Sequence, residues 1–348
     1  MEPSTDRVEL PGPRPRTYRT RRKRRSRRPV LLLLLALLLL GAGWGVKSWL
    51  TPEVPKEGPE EPTLSQQSAD GSGEAGALKR RSKVYNFLLA ATDLEGTRTD
   101  TMMVLSYDVP NRKVGVVSVP RDTLTRREKG KNPRLVYGPG GVQQRREDIS
   151  RMLGIPIDFY VKVDIRGFIA LVDELDGIDF HVPCDMTYDD PSQNLHISFT
   201  EGVHHLDGQQ AMEVARFRKN NDGSGYSDVG RTQTQQQLLL ALADKVISWG
   251  SLTRINSFVR IFNQYVETDL ELRHMLYFAG EARKLDTAQD VRTATLEGRG
   301  DGIYRGTRYC YVLDEESTLE TVNRLVNPYD RDLTPEEMDL LRPDRYMN

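Results

Sequence analysis

The sequence predicts a layered α/β domain that begins near residue 82 and is preceded by one transmembrane helix. Three observations predict this arrangement. From Val84 onward, short apolar runs of strand length alternate with longer stretches of helical periodicity. Residues 30–46 form an uncharged, leucine-rich run. A stretch rich in Pro, Glu and Gly separates that run from the periodic part.

The charge of the chain is divided between a basic head and an acidic body. The 348-residue chain has a formal net charge of −1, yet its first 50 residues hold 12 Lys/Arg and only 3 Asp/Glu. Residues 51–348 therefore carry about −10. A body of that charge does not attract polyanions through its overall field, so we expect no nucleic-acid partner. An anion site in this body would have to come from local clustering of cations.

The membrane anchor is predicted at 29–50, after a basic cytoplasmic tail at 1–28. Its apolar run approaches the ~20 residues that cross a bilayer. The basic octet Arg21-Arg-Lys-Arg-Arg-Ser-Arg-Arg28 directly precedes the run, and the positive-inside rule places that end in the cytoplasm. The sequence thus predicts a single-pass protein of the cell membrane. A cleaved signal peptide is the alternative, although no small-x-small cleavage site is evident.

The rest of the chain is predicted to lie outside the cell. Residues 51–81 read as a disordered linker, and 82–348 as the extracellular domain, with a core at 84–247 and a helical C-terminal part at 248–348. Disulfides form in such a compartment, but two cysteines, Cys184 and Cys310, do not establish a bridge. A bridge and two thiols both remain open.

Each element of the core follows from its local pattern. Strands are predicted at 84–91, 101–107, 113–119 and 159–164 and around 180–182, and helices at 149–153, 167–175, 207–215, 229–248, 252–266, 271–284 and 315–325. Asp207 and Gln210 form the signature of a capping box. Because Arg216 and Arg218 share a face only in extended chain, their helix is expected to end near Ala215.

Arginines at the ends of predicted elements suggest a phosphate or pyrophosphate site. Arg121 follows a strand, Arg216 and Arg218 follow a helix, and Arg231 opens the next helix one turn before Gln235. The planar guanidinium carries a fork of donors that matches phosphate oxygens. The residues alone leave structural interpretations open, since a lone arginine at a helix start is usually solvated.

Carboxylates accompany the arginines at the predicted strand ends. Asp93 and Asp100 are placed where oxygen ligands could hold Mg²⁺ beside a phosphate. Arg121 and Asp122 could equally form an ordinary ion pair, and Asp100 could belong to a simple turn before a strand. Spacing alone does not decide between these interpretations.

The order of the motifs resembles the LytR-CpsA-Psr family. The blocks that carry the resemblance are Asp93, Arg98-Thr-Asp-Thr101, Ser118-Val-Pro-Arg-Asp-Thr123, Gly140-Gly141, Leu206-Asp-Gly-Gln-Gln-Ala211, Arg216-Phe-Arg218 and Gly230-Arg231 with Gln235. They cover about 84–247, and the basic tail and single anchor also resemble the family. The resemblance implies an α/β/α domain with a central mixed sheet. It further implies an enzyme that transfers a glycopolymer, such as a teichoic acid or capsular polysaccharide, from undecaprenyl pyrophosphate to a sugar hydroxyl of peptidoglycan.

The resemblance also implies roles at the matching positions. The pyrophosphate would be held, directly or through water, by Arg98, Arg121, Arg216, Arg218, Arg231 and Gln235. Asp93 and Asp100 would bind Mg²⁺ (or Mn²⁺) or position the acceptor, and Asp122 would orient Arg121. The catalytic set is therefore Asp93, Asp100, Arg121 and Asp122.

The chain departs from the family pattern at three places. Thr234 stands where the family often has a second arginine, so the site is expected to carry one charge less. The family's Lys-Ile-Asn step appears as Lys131-Asn132-Pro133, which puts the role of Lys131 in doubt. Asp176-Gly177 replaces a pair of glycines and is expected to concern a turn.

Two other functions remain open at this point. The same residues could release lipid pyrophosphate to water, as a hydrolase would. A non-catalytic regulator or sensor of the cell envelope is the second alternative, which the missing charge at Thr234 leaves open.

Overall fold

The computed structural model describes residues 52–56, 78–92, 99–125, 134–136, 141–191, 195–225, 228–248, 255–304 and 307–341. The predicted tail, the anchor and most of the linker lie outside these ranges, as do Asp93, Arg98 and Lys131. Within the described ranges, no helix is both long enough and apolar enough to cross a bilayer.

Strands and helices alternate through most of the domain. The strands are β1 (Val84–Thr92), β2 (Thr99–Asp108), β3 (Lys113–Ser118), β4 (Leu124–Thr125), β5 (Arg134–Leu135), β6 (Phe159–Asp164), β7 (Ile178–Val182), β8 (Met186–Asp190), β9 (Leu195–Phe199), β10 (Gly202–Leu206), β11 (Val266–Thr268), β12 (Val291–Thr295), β13 (Gly298–Tyr304) and β14 (Thr307–Leu313). The helices are α1 (Gly141–Leu153), α2 (Ile165–Glu174), α3 (Gly208–Arg216), α4 (Asp228–Ser248), α5 (Ile255–Tyr265), α6 (Leu272–Ala282), α7 (Thr287–Asp290) and α8 (Glu315–Leu325).

A six-stranded mixed sheet lies at the centre, in the order β11-β6-β1-β2-β3-β12. β1 runs antiparallel to β2 and parallel to β6, and β12 runs parallel to β3. The middle strand β1 is buried along nearly its whole length, which explains why its sequence is a continuous apolar run without alternation.

Helices cover both faces of this sheet. Phe87 and Leu89 of β1 pack into a cluster with residues of α2 to α6, whereas Leu88 between them packs into a second cluster with residues of α1 and α8. The predicted layered α/β domain with a central mixed sheet is therefore confirmed. Cys184 and Cys310 are not joined by a disulfide.

A buried ion pair fastens the beginning of the domain to the sheet. Arg80 Nη2 lies 2.5 Å from Asp158 Oδ2, and the two side chains are 2% and 1% exposed. The same carboxylate oxygen accepts a hydrogen bond from the backbone N–H of Asn86 in β1 at 2.8 Å. Arg80 also donates to the carbonyl of Val84 at 2.9 Å. One guanidinium therefore binds both β1 and the residue that directly precedes β6.

Two sequence predictions differ from the structure. The helix predicted at 149–153 begins eight residues earlier, at Gly141. Its first turns are mostly polar in sequence and so give no apolar pattern, although Arg145 and Asp148 there are buried. The C-terminal part, predicted as helical, contains α5, α6 and α8 close to the predicted ranges but also four strands. β11 and β12 are short and sit at the two edges of the sheet, so their sequences lack a strong apolar pattern.

Candidate functional site

The register between β1 and β2 becomes irregular at a predicted metal-binding carboxylate. Ala91 faces Thr101 and Thr92 faces Thr99, so Asp100 is an extra residue in β2 at this step. Such bulges re-aim a side chain and are frequent beside active sites. The side chain of Asp100 lies outside the described part of the structure, as do Asp93 and Arg98.

Arg121 lies in a short turn at the end of β3. The turn is closed by Thr123, whose N–H and hydroxyl both donate to the carbonyl of Pro120, at 3.0 and 2.6 Å. Arg121 Nε lies 3.6 Å from Asp122 Oδ2, and both side chains are partly exposed. At this separation the Asp122 carboxylate attracts the guanidinium electrostatically, and the Arg121 side chain as a whole is 26% exposed.

The second pair of arginines follows α3. Asp207 and Gln210 form the predicted capping box, and the helix ends at Arg216, one residue beyond the expected end. Phe217 is extended (ψ 135°) and fully buried, so it anchors the chain between two arginines. Arg216 is half-buried and Arg218 is exposed. The extended conformation that the spacing of these arginines requires is therefore present.

Gln235 on α4 connects two of these segments. Its Oε1 accepts a hydrogen bond from Thr101 Oγ1 at 3.0 Å, and its Nε2 donates to the carbonyl of Ala215 at 3.0 Å. The amide thus bridges the start of β2 and the end of α3. One helical turn earlier, Arg231 is half-buried on the same side of α4.

Gln236 makes the corresponding connection to β3, and sequence reasoning did not assign it to the site. Its Nε2 donates to Ser118 Oγ at 2.7 Å and to the carbonyl of Ala294 in β12 at 3.0 Å. The side chain is buried. Gln236 lies in a run of three glutamines, a pattern typical of a helix face exposed to solvent. Only the three-dimensional packing identifies its partners.

Two of the departures from the family pattern lie in the described part of the structure. Thr234 is 2% exposed, so this position is enclosed by its neighbours. Asp176 and Gly177 both have positive φ, at 58° and 79°, and Gly177 N–H returns to the carbonyl of Val172 at 2.9 Å. They form the end of α2, which confirms that this departure concerns a turn.

The described carboxylates do not by themselves form a metal centre. Among the side chains that the structure describes, no three His, Cys, Asp or Glu residues converge on a point that could hold an ion. Asp122 is the described carboxylate next to Arg121. The predicted ligands Asp93 and Asp100 would have to supply the rest, and their binding of Mg²⁺ stays a prediction.

The sheet order and the helices on both of its faces define an α/β/α domain with a central mixed sheet. The sequence pattern of the LytR_cpsA_psr family matches residues 56–327, and the chain belongs to that family. This confirms the resemblance inferred from the motifs.

Individual relatives agree with this assignment. The chain is 30% identical over 258 residues to the polyisoprenyl-teichoic acid--peptidoglycan teichoic acid transferase TagV of Bacillus subtilis, covering 71% of this chain and 63% of TagV. It is 31% identical over 201 residues to the regulatory protein MsrR of Staphylococcus aureus, covering 56% of this chain and 59% of MsrR. In both cases the match spans less than two thirds of the relative. The crystal structure of Bacillus subtilis TagV superposes with a TM-score of 0.58 at 25% identity, covering 75% of this chain and all of the chain in that crystal structure.

Proposed function

We propose that this protein is a membrane-anchored transferase that moves a glycopolymer from undecaprenyl pyrophosphate to a sugar hydroxyl of peptidoglycan. The observation that carries the proposal is the convergence of separate arginine-bearing segments, which Gln235 and Gln236 of α4 tie together. The name of TagV, a polyisoprenyl-teichoic acid--peptidoglycan teichoic acid transferase, supports the classes of donor and acceptor.

The reaction requires a charged leaving group to be stabilised. The acceptor hydroxyl oxygen attacks the phosphorus that carries the glycopolymer, and the bond from that phosphorus to the bridging oxygen breaks. Polyprenyl phosphate leaves with the electron pair, while the hydroxyl proton passes to a base. Arg121, Arg216, Arg218 and Arg231 supply permanent positive charge for the pyrophosphate oxygens.

The remaining predicted residues have distinct roles in this proposal. Asp122 orients Arg121, from which it is separated by 3.6 Å. Arg98 adds to the pyrophosphate contacts. A Mg²⁺ or Mn²⁺ ion on Asp93 and Asp100 would neutralise further charge on the pyrophosphate when bound. Gln235 acts chiefly by positioning, since its amide oxygen accepts from Thr101 and its amide nitrogen donates to the carbonyl of Ala215.

The proposed location follows from the order of segments in the chain. The tail at 1–28 lies in the cytoplasm, 29–50 crosses the membrane, and the linker at 51–81 holds the domain near the outer surface. There the domain meets both a lipid-linked donor in the membrane and peptidoglycan outside it.

The proposal is tested by Arg121→Ala and Arg218→Ala in the full-length protein. Purified protein in detergent would be given lipid-linked glycopolymer and peptidoglycan, and polymer attached to the insoluble acceptor would be measured. We expect each variant to lose about 10²-fold or more in transfer rate, as when other preorganised charges are removed from a transition state. Arg324→Ala is the matched control, because Arg324 is an exposed arginine on α8, which covers the opposite face of the sheet from α3 and α4.

The outcomes separate the alternatives. Undiminished transfer by both site variants would refute the assigned site. Release of polyprenyl phosphate at an equal rate without peptidoglycan would identify a hydrolase. If the wild-type protein binds the donor yet produces neither product, the regulatory function suggested by the name of MsrR would be favoured.

A further inference from the structure

The hairpin formed by β13 and β14 is fastened to the loop that carries Arg121. The backbone N–H of Tyr311 donates to the carbonyl of Asp122 at 2.8 Å, and Tyr311 forms a parallel bridge with Thr123. A small buried cluster beneath the contact joins the hairpin to β4 and consists of Leu124, Cys310, Val312 and Leu341. The hairpin and the Arg121 loop therefore form one packed unit.

Tyr309 lies at an irregularity of this hairpin. Gly302 faces Cys310 and Ile303 faces Arg308, so Tyr309 is an extra residue in β14. Its φ is +69°, a left-handed conformation that bulky side chains rarely adopt. Its side chain is 76% exposed, which means that the bulge directs a large aromatic ring into solvent. Among the described residues, such an exposed ring has little packing to compensate for the backbone strain.

The register of the bridge places Tyr309 and Arg121 on the same side of it. β14 and the segment 121–123 run in the same direction where Tyr311 pairs with Thr123. Two residues before Tyr311 is Tyr309, and two residues before Thr123 is Arg121. The exposed ring is therefore displaced from the bridge toward the arginine site.

The chemistry of the hairpin favours a sugar ring as its ligand. An aromatic face packs against the C–H face of a pyranose, while the hydroxyl groups of the sugar stay in water. Arg299 is paired with Asp301, whose Oδ2 lies 3.2 Å from Arg299 Nη2, and Arg308, which directly precedes Tyr309, is exposed. One exposed cation beside an aromatic ring fits a glycan strand, whose hydroxyl and amide oxygens accept hydrogen bonds, better than the pyrophosphate end of the donor, which calls for several cations.

We propose that Tyr309 forms an acceptor subsite. Its ring stacks on a sugar of the peptidoglycan glycan strand, so that the hydroxyl of the sugar is presented to the Arg121 loop. This inference rests on the proposed transferase function, since it names the place where that function takes its acceptor. An open, exposed ring suits an insoluble polymer that arrives from outside and could not enter a closed cavity. In this proposal the strained bulge serves to aim the ring.

The test uses three substitutions of Tyr309 in the full-length protein. Tyr309→Phe keeps the ring, Tyr309→Ala removes it, and Tyr309→Asn removes it while relaxing the backbone, because Asn tolerates positive φ better than most residues. Val203→Ala is the control, because Val203 on β10 is also exposed, at 75%. Initial transfer rates would be measured against acceptor and donor concentration separately. Binding to peptidoglycan stripped of attached polymer would be measured by sedimentation without donor.

We expect Tyr309→Ala and Tyr309→Asn to raise the KM for acceptor about tenfold, the loss typical of one aromatic contact, with donor KM unchanged. Both should weaken sedimentation with stripped peptidoglycan, while Tyr309→Phe and Val203→Ala behave as wild type. Tyr309→Asn should be at least as heat-stable as wild type, which separates lost binding from lost folding.

If wild-type protein transfers polymer and the acceptor KM of both ringless variants is unchanged, or if donor KM rises in its place, the subsite is refuted and the transferase assignment survives. If the wild type transfers nothing and does not sediment with peptidoglycan, the transferase assignment and the subsite fail together.

Discussion

Thr101→Val should slow transfer although Thr101 carries no charge and was not among the predicted site residues. Its hydroxyl donates to Gln235 Oε1 at 3.0 Å, and the same amide donates to Ala215 O at 3.0 Å. Valine has nearly the shape of threonine, so the substitution removes one hydrogen bond and little else. If Gln235 works by holding β2 against the end of α3, breaking either bond should misplace Arg216 relative to β2.

The expected size of the effect follows from the two bonds. A neutral hydrogen bond contributes about 0.5–1.5 kcal/mol. If all of this free energy is lost from the stabilisation of the transition state, the rate falls about 2- to 13-fold. Gln235→Ala removes both bonds and should cost about 1–3 kcal/mol, or about 5- to 160-fold. The double variant should be no slower than Gln235→Ala alone, since both changes delete a shared contact.

Transfer by the purified full-length variants would be measured over a range of donor concentrations, together with their unfolding by urea. Thr268→Val is the matched control, because Thr268 Oγ1 donates to the carbonyl of Tyr160 at 2.6 Å at the far edge of the sheet. The control should lose stability without losing rate. The reasoning is refuted if Thr101→Val transfers at the wild-type rate while Gln235→Ala loses donor affinity, because Gln235 would then contact the pyrophosphate directly.

Three further substitutions test the fold by urea unfolding. An unchanged midpoint would contradict the contacts assigned to Gly115 and Arg80, and an unchanged pH slope of stability would contradict the burial of His274. A Cβ at Gly115 would lie 1.9 Å from the carbonyl oxygen of Leu325, so Gly115→Ala should displace α8 and cost about 3 kcal/mol. Arg80→Met removes the buried ion pair with Asp158 and should cost about 3–5 kcal/mol. Burial lowers the pKa of His274, so the unfolded chain binds that proton more readily and stability should fall as the pH drops below about 6.5; His274→Leu should reduce this slope between pH 7.5 and 5.

The parts of the fold that local pattern determines could be predicted from the sequence. β1, β2 and β3 are continuous apolar runs because both of their faces are covered by helices. The start of α3 could be predicted because a capping box is a purely local arrangement of Asp207 and Gln210. Predictions of this kind need no knowledge of what the segment packs against.

The parts that depend on distant partners could not be predicted. The buried face of α1 includes Arg145 and Asp148, so the spacing of apolar residues alone does not reveal the helix. β12 completes the sheet with exposed polar residues and depends on β3 for its backbone hydrogen bonds. At the site, the arginines could be proposed from their chemistry, yet the family resemblance was needed to join them. The sequence around Gln236 does not indicate a role at the site, because a glutamine amide can bind many kinds of partner and only the fold shows which ones it has.

The two glutamines explain why α4 is central to the site. Consecutive residues on a helix point about 100° apart, so Gln235 reaches β2 and α3 while Gln236 reaches β3 and β12. One rigid helix thereby sets the distances between segments that are far apart in sequence. Thr234 lies beside these amides and is 2% exposed, so an arginine there would have to displace packed neighbours. Under the proposed function, Thr234→Arg alone is therefore not expected to add a cation to the pyrophosphate site.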